Sequence, residues 1–531
     1  MTSNRAPIDS VTPHHARADQ PVLSPRRRRL ILVVVALSLM TVVSAVSGLN
    51  VALPSLAREF GATQTELTWI IDAYTVVFAG LLLAAGAIGD RLGRKGILIA
   101  GLTIFGIAAA GAAFATDPAA LIALRAVMGI GAAGIMPTTL SVITTSFPDA
   151  ERPRAIGVWV GVAGSGAVLG LFGTGLLLEF FDWHSFFWLN VSLAILGLIG
   201  AILVVPPSKD PNAGRFDTLG ALLSLITVSA LVYGIIEIAS TSGEEALPFV
   251  VLGIGLAALV LFALWERRHP DPLLDPRLFT LRGFSAGSLT ILIQFFAAFG
   301  FFFTMLQYLQ FVVDLSPLMA AVCMLPMPLA MIPLARLSPT IAARVGYRKV
   351  APAGLILMAV GFGIMSLLTV DFNYIHFASG LVVFAGGMGL AGTPSTTAIT
   401  QSLPREKQGV ASAVNDVARE FGSALGIAVL GGILTAVYRG AVADSTTQLP
   451  ADIAEKVQGS IAFTQSPMIA SLGPAAEALT VAARAAFVEA TAASLLVAAA
   501  ALIATAIITA VIGPRHGVDS APLAAPGEPV R

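Results

Sequence analysis

Residues 86–96 read GAIGDRLGRKG. Four charges, Asp90, Arg91, Arg94 and Lys95, stand there among glycines. The flanking stretches, VVFAGLLLAAGAIG before and ILIAGLTIFGIAAAGAAFA after, have no charge. A helix needs roughly 20 apolar residues to cross a bilayer. A charged knot between two such stretches is therefore read as the short loop joining two membrane-crossing helices. The glycines allow a tight turn and let the two helices approach closely.

The whole chain fits that reading. Of its 531 residues 56% are hydrophobic and only 12% charged, against about a quarter charged in a typical soluble domain. The mean hydropathy is +0.85. The formal net charge is zero, which gives no electrostatic ground for a nucleic-acid partner. The single cysteine, Cys323, cannot close an intrachain disulfide. Residues 1–29 are polar and end in Arg26, Arg27, Arg28 and Arg29. The long apolar stretch after them, with no small-residue cleavage site, predicts a retained first span.

Apolar windows predict about fourteen transmembrane helices. One set of loops holds Arg26–Arg29, the 90–95 cluster, Arg152, Lys209, Arg267, Arg268, Arg348, Lys349 and Arg405. The alternate loops hold Glu59, Glu66, Asp117, Asp182, Glu245, Asp314 and Asp371, with Arg58 as the one basic exception. The positive-inside rule then predicts a multi-pass protein of the cell membrane with both termini cytoplasmic. Residues 438–487 are expected as a long outer loop, and IAFTQSPMIASLG within it as a re-entrant or interfacial hairpin.

The chain also repeats itself. PTIAARVGYRK at 339–349 aligns with the 86–95 stretch, placing Gly346 on Gly93 at an offset of 253. GMGLAGTPSTT resembles GIGAAGIMPTT, with Gly387 on Gly129 at an offset of 258. Pro404 matches Pro148 at 256. Two six-helix halves, 30–205 and 285–512, are expected. Two linker helices with their loops, 206–284, lie between them, and tails 1–29 (disordered by composition) and 513–531 lie outside. Corresponding loops fall on one membrane side, so the repeat is parallel and related by an axis along the membrane normal. GIGAAG and GMGLAG both fit a dinucleotide-binding pattern. They sit inside apolar helical stretches rather than after a strand, so close helix packing is the better account. No Gly-Lys dipeptide occurs, which excludes a P-loop.

Gly86, Ile88, Asp90, Arg91, Gly93, Arg94 and Lys95 resemble motif A of the major facilitator superfamily. Leu124-Arg125 with Gly129 and Gly131 resembles motif B. Asn50–Pro54, TWIIDAYTVVFAGLLLAAG at 68–86 and SAVNDVAREFGSALGIAVLG at 412–431 are similar to the fourteen-spanner drug:proton antiporter branch. The resemblance implies an all-α polytopic fold of two pseudo-symmetric six-helix halves plus two extra central helices. It also implies a motif A latch that holds the outward-facing state and breaks as the halves rock. Its implied activity is proton-coupled efflux of lipophilic, cationic drugs or dyes by alternating access. Three places depart from the branch. Ala45 stands where span 1 usually has Asp; Gly170–Gly175 lacks the proline of motif C; Trp183-His184-Ser185 replaces W-R-W. Motif C is associated with antiport, so its change keeps a second reading open, a same-fold exporter of a native metabolite, lipid or peptide with different coupling.

Ionisable residues inside spans mark function. They are Asp72, Arg125, Glu237, Asp416, Arg419 and Glu420. Spacings of three and four place Asp416, Arg419 and Glu420 on one helical face. Asp72 and Arg125 are expected to pair, either structurally or as a pair that protonation or cargo breaks. Asp72 is the leading proton and cation carrier of the first half, because burial favours the neutral form of a carboxyl group. Glu237 is expected to reach water at the outer end of its span. Asn50, Trp69, Tyr74, Gln294 and Gln307 are read as cavity lining, aromatic faces being suited to cations. His14 and His15 are neighbours and the other histidines are scattered. No metal site, cofactor or enzyme is expected, and the chain is read as a monomer working with lipid, protons and small lipophilic substrates.

Overall fold

A computed structural model describes residues 24–148, 151–209, 216–240, 245–403, 408–471 and 474–514. Helices make up the fold, with no strand among the described residues. The first half consists of α1 (Pro25–Phe60), α2 (Gln64–Leu92), α3 (Arg94–Ala112), α4 (Pro118–Ser146), α5 (Arg152–Phe180) and α6 (His184–Val204). α7 (Thr218–Ser240) and α8 (Ala246–Glu266) follow. Then come α9 (Arg282–Gln307), the short α10 (Pro317–Cys323), α11 (Pro326–Val345), α12 (Tyr347–Met365), α13 (Tyr374–Gln401) and α14 (Gln408–Val442). The small helices α15 (Ala451–Gly459) and α16 (Pro467–Ala470) lead to α17 (Pro474–Ile512). Thirteen spans are long and apolar enough to cross a membrane, α10 and α11 counting as one. α5 has 29 residues, of which Gly170–Phe180 is a shorter apolar helix among the described residues.

The helix ends follow local chemistry. Gly61 closes α1 in the left-handed conformation at φ 61°. A capping box opens α2: the Glu66 N–H donates to Thr63 Oγ1 at 3.2 Å, and the Thr63 N–H donates to Glu66 Oε2 at 2.8 Å. Asp117 accepts from the Ala120 N–H at 2.9 Å and starts α4. With no hydrophobic drive between helices inside lipid, small residues and tight contact hold the bundle. Large apolar side chains point outward instead, Ile375 at 80% exposed and Leu329 at 75%.

The internal repeat survives as geometry. Gly93 and Gly346 both hold positive φ, 115° and 87°. Lys95 Nζ donates to the Ile202 carbonyl at 2.7 Å, in the last turn of α6. Arg348 Nε donates to the Ala510 carbonyl at 2.8 Å, in the last turn of α17. In each half, then, a cation just after the turn neutralises the negative end of that half's last helix. The Gly-rich pieces are packing surfaces. A Cβ on Gly131 would lie 2.7 Å from the Gly101 carbonyl oxygen. A Cβ on Gly354 would lie 2.7 Å from the Gly387 carbonyl oxygen.

The region after α13 corrects the sequence reading. α17 begins at Pro474, well inside the segment expected as loop at 438–487, and α14 runs to Val442, just inside its other end. The Ala-rich start of α17 has high helix propensity but is too polar to register as apolar. Ile461–Gln465 forms a 3-10 turn packed against α1 and α17, and α16 follows it.

Candidate functional site

α2, α7 and α14 meet in one apolar seam. Val76 and Ala79 of α2, Val232 and Ile236 of α7, and Ala424 and Ala428 of α14 are buried against one another. α2 belongs to the first half and α14 to the second, so the seam joins the halves with α7 laid over it. Trp69 Nε1 donates to Glu237 Oε1 at 2.9 Å, and Trp69 packs on Tyr233 at 5.8 Å between ring centroids. Glu237 therefore does not simply reach outer-side water as expected; it ties α7 to α2. Trp69 thus joins α2 to α7, a contact the sequence did not suggest. Trp69→Phe removes the donor and keeps the ring. It is expected to increase accessibility along α7, measured as faster labelling of a cysteine placed at Tyr233.

The first half brings three predicted residues together. Arg125 is fully buried, with its guanidinium 4.3 Å from the centre of the Tyr74 ring. Its Nε donates to the Ile70 carbonyl at 3.0 Å. The Tyr74 hydroxyl donates to the Val42 carbonyl of α1 at 3.2 Å. Asp72 is fully buried two residues from Tyr74. The expected Asp72–Arg125 ion pair does not form. Neither Asp72 oxygen has a hydrogen-bond partner, nor have Arg125 Nη1 and Nη2. The reason lies in helix geometry. Residues 72 and 74 project on different faces of α2, and the aromatic face claims the guanidinium.

The second half answers from α14. Asp416 is 6% exposed and stands three residues before Arg419, on the same side of α14. The Arg419 guanidinium sits 5.2 Å from the centre of the Phe295 ring on α9. Glu420 follows Arg419 on the same helix.

The polar residues divide. Asn50 is buried; its Nδ2 donates to its own helix at Val46 while its Oδ1 has no partner. Gln307 repeats the pattern, with Nε2 bonded to Phe303 and Oε1 without a partner. Gln294 is committed elsewhere, its Nε2 donating to the Met388 carbonyl at 3.1 Å. Gln310 follows Gln307 by three residues. It crosses between the halves, Nε2 donating to the Val51 carbonyl at 3.1 Å. No sequence period marks it. It lies in a π-helical turn, Tyr308–Val312, where the register of α9 shifts.

The altered motif C is also a contact surface. A Cβ on Gly170 would collide with Ser47 of α1, and one on Gly175 would lie 3.2 Å from the Pro317 carbonyl oxygen of α10. Gly175, Gln310 and the Arg58–Phe311 contact at 5.8 Å all join the halves near the face where α1 ends. Gly175→Leu is expected to prop this face apart, read as increased labelling from that side with folding retained. At the other face, Gly93 and Arg94 stand in the motif A turn, and the Arg94 N–H donates to the Ser208 carbonyl at 2.9 Å. A Cβ on Gly86 would rest in ordinary contact with Pro137. Arg91 is at the end of α2; the Asp90 side chain lies outside the described residues, so its latch contact is not placed here.

An all-helical bundle of about fourteen spans, with buried charges on helices of both halves, has the architecture of a membrane transporter. Residues 35–427 match the Major Facilitator Superfamily, and the chain belongs to that family. It is 34% identical over 440 residues to the multidrug efflux pump LfrA of Mycolicibacterium smegmatis, covering 83% of this chain and 86% of LfrA. It is 34% identical to the puromycin resistance protein pur8 of Streptomyces alboniger, over 86% of this chain and 91% of that protein. It is 36% identical to the methyl viologen resistance protein SmvA of Salmonella typhimurium, over 78% and 84%. Among solved structures, a bacterial homolog of the human lysosomal transporter Spinster, inward-facing and unoccupied, aligns with a TM-score of 0.62 at 18% identity, covering 93% of this chain and 100% of that one. The protein is a transporter of this superfamily, not an enzyme, and its relatives are drug and antibiotic resistance proteins.

Proposed function

We propose that this chain is a proton-coupled exporter of lipophilic, cationic compounds, working by alternating access at the cell membrane with both termini cytoplasmic. The observation that carries the proposal is Asp72, a fully buried carboxyl with no hydrogen-bond donor, beside Arg125 stacked on Tyr74. A charge left without a partner inside a membrane protein marks a binding step rather than a fastening. A proton on Asp72 removes the burden of a bare carboxylate, and a cationic cargo removes it equally well. The two compete, and that competition is antiport. Glu420 and Asp416 on α14 let the other half sense which is bound. The relatives' names, multidrug, puromycin and methyl viologen, support efflux of organic compounds.

The test is proton movement in proteoliposomes holding a pH dye. Adding a lipophilic quaternary ammonium compound under a pH gradient is expected to trigger proton flux. Absence of such flux from folded protein rejects this reading. The second reading rests on Gly170–Gly175, which lacks the motif C proline. It predicts cargo movement of a metabolite, lipid or peptide without proton release.

A further inference from the structure

The start of α7 and the end of α8 carry a second buried carboxyl cluster, remote from Asp72. Asp217 and Glu266 are 2% and 1% exposed. Asp217 is well supplied with donors. Trp265 Nε1 reaches both its oxygens at 2.9 Å, and the Gly220 N–H donates to Oδ1 at 2.8 Å. Glu266 Oε2 accepts from the Leu274 N–H at 3.1 Å. Its Oε1 is buried without any donor. That oxygen faces Asp217 Oδ2, because a Cβ on Gly220 would collide with both atoms. Two carboxylate oxygens turned toward each other in an apolar interior repel strongly unless one carries a hydrogen.

We propose that Asp217 and Glu266 hold one proton between them, and that this shared proton fastens the foot of the α7–α8 pair to the segment entering α9. The other groups around the pair leave it that role. From beyond α8, His269 Nδ1 lies 3.8 Å from Asp217 Oδ2, and it also meets the Asp271 carbonyl at 3.0 Å. From the turn before α9, the Leu274 N–H reaches Glu266, while Asp275 accepts from the Arg277 N–H at 2.9 Å. Arg277 Nη2 is turned to the Arg267 carbonyl at 3.1 Å. Among the described residues, neither carboxyl forms an ion pair with a lysine or arginine; Arg215 lies outside them. When the proton leaves, two charges share one buried site. Glu266 must then swing out and release Leu274, and Trp265 loses its fixed acceptor.

α7 lies across the seam between α2 and α14, with Ser224 Oγ donating to the Gly80 carbonyl at 3.3 Å. Its foot is on the face that also holds Gly93 and Ser208. Proton loss at that face would therefore loosen the cover over the seam. This inference stands whether or not cargo is exchanged for protons.

The experiment is a pH titration of the full chain in lipid nanodiscs, followed by infrared and tryptophan emission. The native protein is expected to gain a carboxylic-acid C=O absorption on acidification that is absent in both Glu266→Gln and Asp217→Asn. Either variant suffices should the other fail to fold. The emission assigned to Trp265, by subtraction of Trp265→Phe, is expected to shift over the same pH interval. The proposal is overturned by a full native-sized band in a folded variant, or by Trp265 emission that does not follow the band.

Discussion

Asp72→Asn is expected to reduce cargo-triggered proton flux to the level of empty liposomes while leaving the protein folded. Asparagine matches the shape of the protonated carboxyl but can neither gain nor lose a proton. The site has no hydrogen bond to disturb, since both Asp72 oxygens are without partners. The pH dependence has a definite sign. A cation and a proton competing for one carboxylate make cargo binding tighter as pH rises. In the variant, binding is expected to be weak and flat with pH, measured by equilibrium binding of the same quaternary ammonium compound. Retained, pH-dependent exchange in Asp72→Asn would move the coupling to Asp416 or Glu420. Arg125→Lys is expected to impair transport as well, because an ammonium cannot reproduce a planar guanidinium stacked on Tyr74 and bonded to Ile70.

Gly131→Leu is expected to prevent stable folding. A Cβ there would stand 2.7 Å from both the Gly101 carbonyl oxygen and the Phe105 nitrogen, and 2.8 Å from Phe105 Cβ. Two of these three atoms are backbone, so α3 and α4 must separate along their contact. Overpacking of this kind destabilises by about 1–3 kcal/mol or more. The lower figure applies where side chains can turn aside, which is closed here. Gly96→Ala is the control, with nothing within 4 Å of its Cβ. The readout is built in. Cys323 is the chain's one cysteine and is 7% exposed, so a thiol-reactive dye reports unfolding directly. Gly131→Leu is expected to label at low temperature and Gly96→Ala as the native protein does.

Much of this architecture was legible because the bilayer simplifies the code. Backbone polar groups must be satisfied within each span, so long apolar stretches can only be helices. Motif A located the α2–α3 turn, and its faint copy at 346 located the equivalent turn. The side-chain partners were less legible. Asp72 and Arg125 looked like an ion pair because opposite charges in lipid should meet. Tyr74, on a different face of α2, took the guanidinium instead. Trp69 looked like cavity lining, but Glu237 arrives on α7, 168 residues later in the chain.

The amino-acid order by itself determined the number of spans, the duplication, the superfamily and the residues whose charge is out of place in lipid. Each follows from local composition and period, which need no knowledge of neighbours. Tertiary structure alone decided which charge remains bare, where α7 lies, and that Asp217 faces Glu266. Those are matters of which helix faces meet, and facing depends on the rotation and offset of helices joined by loops that do not dictate either.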